Sequence, residues 1–135
     1  MKLPHNALVA LVDGESFILM RNTGQIFEPR LENGYRPELE ATNYSAGVKH
    51  QDDVGQQTGA TDLDELAHAA AATEYLNKEA IGGNFENLLV IADPKTLGEM
   101  RRHYHSELEK RLTGEIAKTL TGENTDRIAQ AIADA

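Results

Sequence analysis

Apolar residues in this chain fall into short unbroken runs separated by helical stretches. Ala7 to Val12 is continuous apolar sequence and predicts a central strand covered on both faces. Asp13-Gly14 follows, a two-residue hairpin signal because glycine tolerates positive φ. Phe17 to Met20 reads as the return strand, and Asn22-Thr23-Gly24 as a second turn. Gln25 to Leu31 is a third, weaker strand. Pro29 lacks the N–H a ladder needs, which places that strand at a sheet edge. The three predict an antiparallel meander. From Glu32 to Ala60 the chain is polar and without periodicity, a long loop that a compact domain keeps only where it is functional or mobile.

Thr61-Asp62 predicts a helix start, with Asp64 and Glu65 favouring its positive end. Leu63, Leu66, Ala67 and Ala70 share a face that Leu76 and Ala80 continue, and Gly82-Gly83 ends the helix. Leu88 to Ala92 is a second unbroken apolar run. It hands over at once to Asp93 and Pro94, a capping residue and a first-position proline. The helix expected after Pro94 carries Leu97, Met100, Tyr104 and Leu108 on one stripe and runs to Lys110. Thr113 to Leu120 predicts a strand. Asn124 or Thr125 caps a last helix with Ile128 and Ile132 one turn apart.

The order β-β-β-α-β-α-β-α predicts an α/β fold in one domain, residues 1–135. A mixed sheet of about five strands with flanking helices satisfies it, the meander on one side and right-handed crossovers on the other. That is a ribonuclease H-like order. In open α/β sheets ligands sit at the carboxyl ends of the strands, so the Ala92–Asp93 junction is the first place to look for function.

Charge changes the picture in one region. The net charge is −9, which disfavours broad binding to nucleic acid or anionic membrane. Yet Lys95 to Arg111 holds five cations (Lys95, Arg101, Arg102, Lys110, Arg111) against Glu99, Glu107 and Glu109, a local +2. There is no cysteine, which excludes disulfides and thiolate chemistry. Met1 to His5 has no signal-peptide core, and no apolar run reaches membrane-span length. The expectation is a soluble, cytoplasmic chain.

Two constellations carry candidate chemistry. Asp13 and Asp93 both follow strands. As parallel neighbours those strands would bring the carboxylates to one sheet edge, where a pair can hold Mg²⁺ for phosphoryl transfer. Glu15 and Asp62 are candidate third ligands. A turn and a helix cap explain the same two aspartates without a metal. The second constellation is Lys95, Arg101, Arg102, His103, His105 and Arg111, with Lys110, as a surface for phosphates. Its plain alternative is an ordinary helix surface with a Glu107–Arg111 pair. His103 and His105 point to different faces of one helix and share a metal only if the helix breaks. His68 meets His103 only if both helices lie on one sheet face. With neither a His-x-x-x-His spacing nor cysteine, no metal site is expected. Neither a phosphate loop nor a Gly-x-Ser-x-Gly elbow occurs, and no cofactor is expected.

Pro4-His5, the strand ending Val12-Asp13-Gly14, the block from Asp93-Pro94-Lys95-Thr96-Leu97-Gly98-Glu99-Met100-Arg101-Arg102 to His105, and Gly114-Glu115-Ile116-Ala117-Lys118-Thr119-Leu120-Thr121 together resemble the bacterial host attachment protein family. The resemblance spans nearly the whole chain. It implies a relation to the middle domain of archaeal and eukaryotic peptide-release factors, which is ribonuclease H-like and works on the ribosome. It thereby implies an RNA or ribosomal partner. The Gly-Gly-Gln tripeptide of peptide release is absent; Val54-Gly55-Gln56-Gln57 comes nearest. The expected function is a non-enzymatic binding module for RNA, the ribosome or a protein. The alternatives are a Mg²⁺-dependent phosphoryl-transfer enzyme using Asp13 and Asp93, and a homo-oligomer formed through the edge strand near Pro29.

Overall fold

The two unbroken apolar runs become the centre of the sheet. The structure, a computed structural model, describes residues 1–39 and 57–135. β1 (Leu8–Val12) and β4 (Leu88–Ala92) are buried throughout and pair in parallel, Leu8 beside Leu88 and Val12 beside Ala92. A strand covered on both faces needs apolar side chains at every position, which is why neither run alternates. β2 (Phe17–Asn22) pairs antiparallel with β1, and β3 (Leu31–Tyr35) antiparallel with β2. β5 (Leu112–Ala117) runs parallel to β4, giving a five-stranded mixed sheet in the order β3-β2-β1-β4-β5.

Four helices are described: α1 (Gln57–Ile81), α2 (Pro94–Arg101), α3 (Ser106–Arg111) and α4 (Thr125–Asp134). Side chains alternate across each strand, so the sheet has two distinct apolar faces. Leu8, Ala10, Val12, Leu19, Leu88 and Val90 meet Ala69, Ala72, Leu76 and Ala80 of α1, Leu97 and Met100 of α2, and Leu108 of α3. Val9, Leu11, Ile18, Leu89 and Ile91 meet Leu3 and the Ile128–Ile132 pair of α4 on the other side. The small alanines let α1 lie close to the sheet, and their helix propensity is high.

Several expected boundaries move, each for a local reason. The pairing of Val12 with Phe17 leaves Asp13–Ser16 as the first turn, wider than the Asp13-Gly14 pair, because Asp13 accepts from the N–H groups of both Glu15 and Ser16. Gln25 to Leu31 is not a strand. Gln25 and Glu28 exchange backbone hydrogen bonds in a tight turn, and β3 begins only at Leu31, so Pro29 precedes the edge strand. The loop expected over Glu32–Ala60 is shorter at both ends: β3 occupies it to Tyr35, and α1 starts at Gln57 rather than Thr61. Its residues 40–56, including Val54-Gly55-Gln56, lie outside the described residues. β5 starts at Leu112 and ends at Ala117, short of Leu120. The helix expected from Pro94 to Lys110 is two helices, interrupted between Arg101 and Ser106.

Candidate functional site at the ends of the parallel strands

Because Val12 and Ala92 are level across the β1–β4 pair, Asp13 and Asp93 leave the sheet as neighbours. Each carboxylate is spent locally. One Asp13 oxygen accepts from Glu15 N at 2.8 Å and Ser16 N at 2.6 Å, and the other accepts from the Thr121 hydroxyl. Asp93 caps α2, accepting from Thr96 N at 3.1 Å, with Pro94 in the first turn. Glu15 is exposed, and the side chain of Asp62 lies outside the described part. Among the described residues no group of three or more metal-ligating side chains could hold a metal ion. Burial pushes the Asp13 carboxyl up, but the hydrogen bonds from Thr121, Glu15 and Ser16, with His68 nearby, outweigh it and hold the group below its ordinary value.

α1 closes this edge from above. His68 Nδ1 lies 2.9 Å from the Asp13 carbonyl oxygen. A carbonyl only accepts, so Nδ1 carries the proton. Glu65 pairs with Lys95 at 3.5 Å and covers Gly14, where an added Cβ would sit 2.5 Å from Glu65 Cγ. His68 and His103 do share a sheet face but not a site. Asn77 Nδ2 donates to the His103 carbonyl at 2.8 Å, and Asn77 lies roughly 14 Å along α1 from His68, at 1.5 Å per residue.

The break between α2 and α3 is where the two other histidines go. The Asn77 side chain reaches out of α1 and satisfies both sides of the turn, its amide donating to His103 O and its oxygen accepting from His105 N at 3.0 Å. His103 Nε2 faces Glu99 at 2.7 Å, and His105 Nδ1 accepts from Glu107 N at 3.0 Å as the cap of α3. The helix break that a shared metal would require is present, but the contacting nitrogens are committed to Glu99 and Glu107.

The cationic stretch is laced with carboxylates. Arg101 grips Glu115 of β5 through Nε at 3.1 Å and a terminal nitrogen at 2.8 Å, and Tyr104 donates to the same carboxylate at 2.8 Å. Arg102 reaches Glu99 at 3.6 Å; Lys110 and Arg111 both reach Glu107, at 2.8 and 2.9 Å. Arg111 also donates to Phe85 O at 3.0 Å. A free basic face is therefore not what the fold builds here: each of the five cations has an acidic partner. The arginine side chains still face outward, Arg101 being 56% and Arg102 76% exposed.

This network makes stability acid-sensitive. Burial raises the Glu115 carboxyl, but Arg101 and Tyr104 more than reverse that, leaving it below its ordinary value. Hydrogen bonds from Lys110 and Arg111 bring Glu107 from 4.5 to about 2. A carboxyl more acidic folded than unfolded stabilises the fold above its unfolded value and loses that contribution as pH falls through its folded value. Stability is expected to be full above pH 4.5 and to decline from there toward pH 2. Urea unfolding at stepped pH checks this; Glu107→Gln should flatten the decline, and a flat profile between those limits refutes it.

Four residues that organise this surface were not among the sequence candidates. Asn77 is 6% exposed, and its signal was a polar residue inside an apolar helix stripe. Glu115 and Tyr104 carried no local signal, since their contact is set by folding, whereas the buried Glu99 has its partners Arg102 and His103 three and four residues on.

Residues 6–132 match the bacterial archaeo-eukaryotic release factor family 12. Over 77 residues the chain is also 35% identical to an uncharacterised protein of Rickettsia prowazekii (strain Madrid E), an alignment covering 53% of this chain and 51% of that protein. The matched part thus spans about half the length of the curated relative. No described helix is long and apolar enough to cross a membrane. With the family match running from two residues before β1 into α4, the chain belongs to bacterial archaeo-eukaryotic release factor family 12.

Proposed function

We propose that the protein is a cytoplasmic, non-enzymatic binding module that docks on ribosomal RNA through the α2–α3 surface, the host attachment resemblance naming relatives of the same kind. The observation that carries this reading is the release-factor family match over residues 6–132. Lys95, Arg101, Arg102, His103, His105 and Arg111 form the contact surface. Arg102 engages first: its contact with the buried Glu99 is long, its own side chain is 76% exposed, and Glu99 keeps His103 as a partner when Arg102 turns to a phosphate. Arg101 follows by exchanging a planar, two-point grip on Glu115 for one on phosphate. Asp13 and Asp93, held in a turn and a cap, shape the edge rather than a metal site.

Co-sedimentation with ribosomes at low salt tests the reading. The wild type is expected in the pellet, with Arg101→Glu/Arg102→Glu left in the supernatant. Because glutamate at 101 faces Glu115, Arg101→Gln/Arg102→Gln serves as the gentler variant and should reduce pelleting while retaining the wild-type circular dichroism spectrum. A wild type that never sediments, or variants that sediment equally, would end the proposal.

A further inference from the structure

The end of the sheet opposite Asp13 and Asp93 holds an exposed apolar tip. Between β2 and β3 the chain makes a tight turn, with Gln25 N donating to Glu28 O at 3.1 Å and Glu28 N to Gln25 O at 3.2 Å. Ile26 and Phe27 form its crest, and Phe27 is 64% exposed. The crest is rigidly held. Thr23 N donates to Arg30 O at 2.8 Å, and the buried Asn22 accepts from Gly24 N and Arg30 N at its base. An alanine Cβ at Gly24 would lie 2.4 Å from the Glu28 carbonyl oxygen, so the turn depends on glycine there. Leu3 N donates to Ile26 O, which ties the N-terminal segment alongside and sets the Lys2 ammonium 5.7 Å from the Phe27 ring centroid. Arg30 and His5 are also exposed near this turn. Among the described residues Lys2 and Arg30 make no ion pair, in contrast to the cations of α2 and α3.

We propose that this tip is a docking site for single-stranded nucleic acid, with Phe27 stacking on one base and Lys2 and Arg30 holding adjacent phosphates. Three observations select this occupant. The patch is locally basic in a chain of net charge −9, Glu28 being the acid within its turn. Its aromatic ring is presented on an ordered turn, so little entropy is lost on stacking. An ammonium already sits over that ring. A bilayer or an apolar protein surface would have to bury that charge with Phe27, whereas a base on the open ring face leaves it in water beside a phosphate. The site is separate from α2–α3, so it stands or falls apart from the ribosomal reading.

Fluorescence anisotropy of the full chain with labelled oligouridine RNA and oligothymidine DNA, at low and raised salt, tests it. Phe27→Ala is expected to weaken binding about tenfold or more and Phe27→Trp to retain it. Lys2→Ala and Arg30→Ala should each flatten the salt dependence by about 0.7 in slope. The fold-loss caused by Phe27→Ala is expected to be the same in wild type and in an Arg101→Gln/Arg102→Gln background, which separates this site from any binding at α2–α3. A preference between the two oligonucleotides identifies RNA or DNA as the ligand. No binding by the wild type, equal binding by Phe27→Ala, or binding to anionic vesicles in place of either strand overturns the proposal.

Discussion

Replacing Asn22 with alanine is expected to cost about 3–5 kcal/mol, the largest single-residue loss foreseen for this chain. Asn22 is 0% exposed at the end of β2. Its oxygen accepts from Gly24 N at 2.9 Å and Arg30 N at 3.0 Å, and its amide donates to Leu3 O at 3.0 Å and Pro4 O at 3.2 Å. One side chain thus satisfies backbone groups from both the N-terminal segment and the β2–β3 turn. Alanine leaves Gly24 N, Arg30 N and Leu3 O without this partner where water reaches them poorly, while Pro4 O keeps its bond from Ala7 N, and each orphan costs about 1–3 kcal/mol before relaxation. The melting temperature should fall by roughly 10–20 °C. Asn22→Asp should do no better, since a carboxylate cannot donate to the two carbonyls it would face. Thermal unfolding followed by circular dichroism reads both variants, and an alanine variant within about 1 kcal/mol of wild type would refute the assignment.

Asn77→Leu is expected to lose about 2–4 kcal/mol while keeping the side-chain volume nearly constant. The variant leaves the His103 carbonyl and the His105 N–H without the Asn77 partner that joins them to α1. The effect should be localised as well as global. Hydrogen exchange at the His105 amide should accelerate far more than exchange within β1 or β4, because the turn opens before the sheet does. Asn77→Asp separates the two bonds, retaining the acceptor for His105 N and removing the donor to His103 O. Its exchange at His105 should therefore stay closer to wild type than that of the leucine variant. Uniform acceleration across the chain would mean that Asn77 merely fills space.

The readable parts of the sequence were those with a short-range cause. Leu88 to Ala92 followed by Asp93-Pro94 was legible as strand, cap and helix because burial pattern and capping act within a few residues. Asn124 capping α4, and Ile128 with Ile132 inside it, were legible for the same reason. The third strand was misplaced because Gln25 to Pro29 contains apolar residues that point away from the core, at the crest of a turn. The unbroken helix from Pro94 was expected because the spacing of Leu97, Met100, Tyr104 and Leu108 fits one stripe. Leu97, Met100 and Leu108 do all reach the same core face, yet the backbone between them breaks. A hydrophobic stripe reports which side is buried and is silent on whether every intervening residue is helical. Of the cation pairs, Glu107 with Arg111 was read from the helix spacing and Glu99 with Arg102 and Glu107 with Lys110 share that short range, whereas Lys95 with Glu65 and Arg101 with Glu115 depend on the fold.

By itself the sequence determined the central strands, the direct strand-to-helix handover and the α/β class, because apolar runs, caps and turn residues act through neighbours in the chain. Only the tertiary structure decided that Arg101 meets Glu115, 14 positions away, that Asn77 supports a turn 26 positions on, and that Lys2 lies over Phe27. Those contacts form when the sheet brings distant segments together, and Coulomb and hydrogen-bond energies then depend on separations in space that no local pattern encodes.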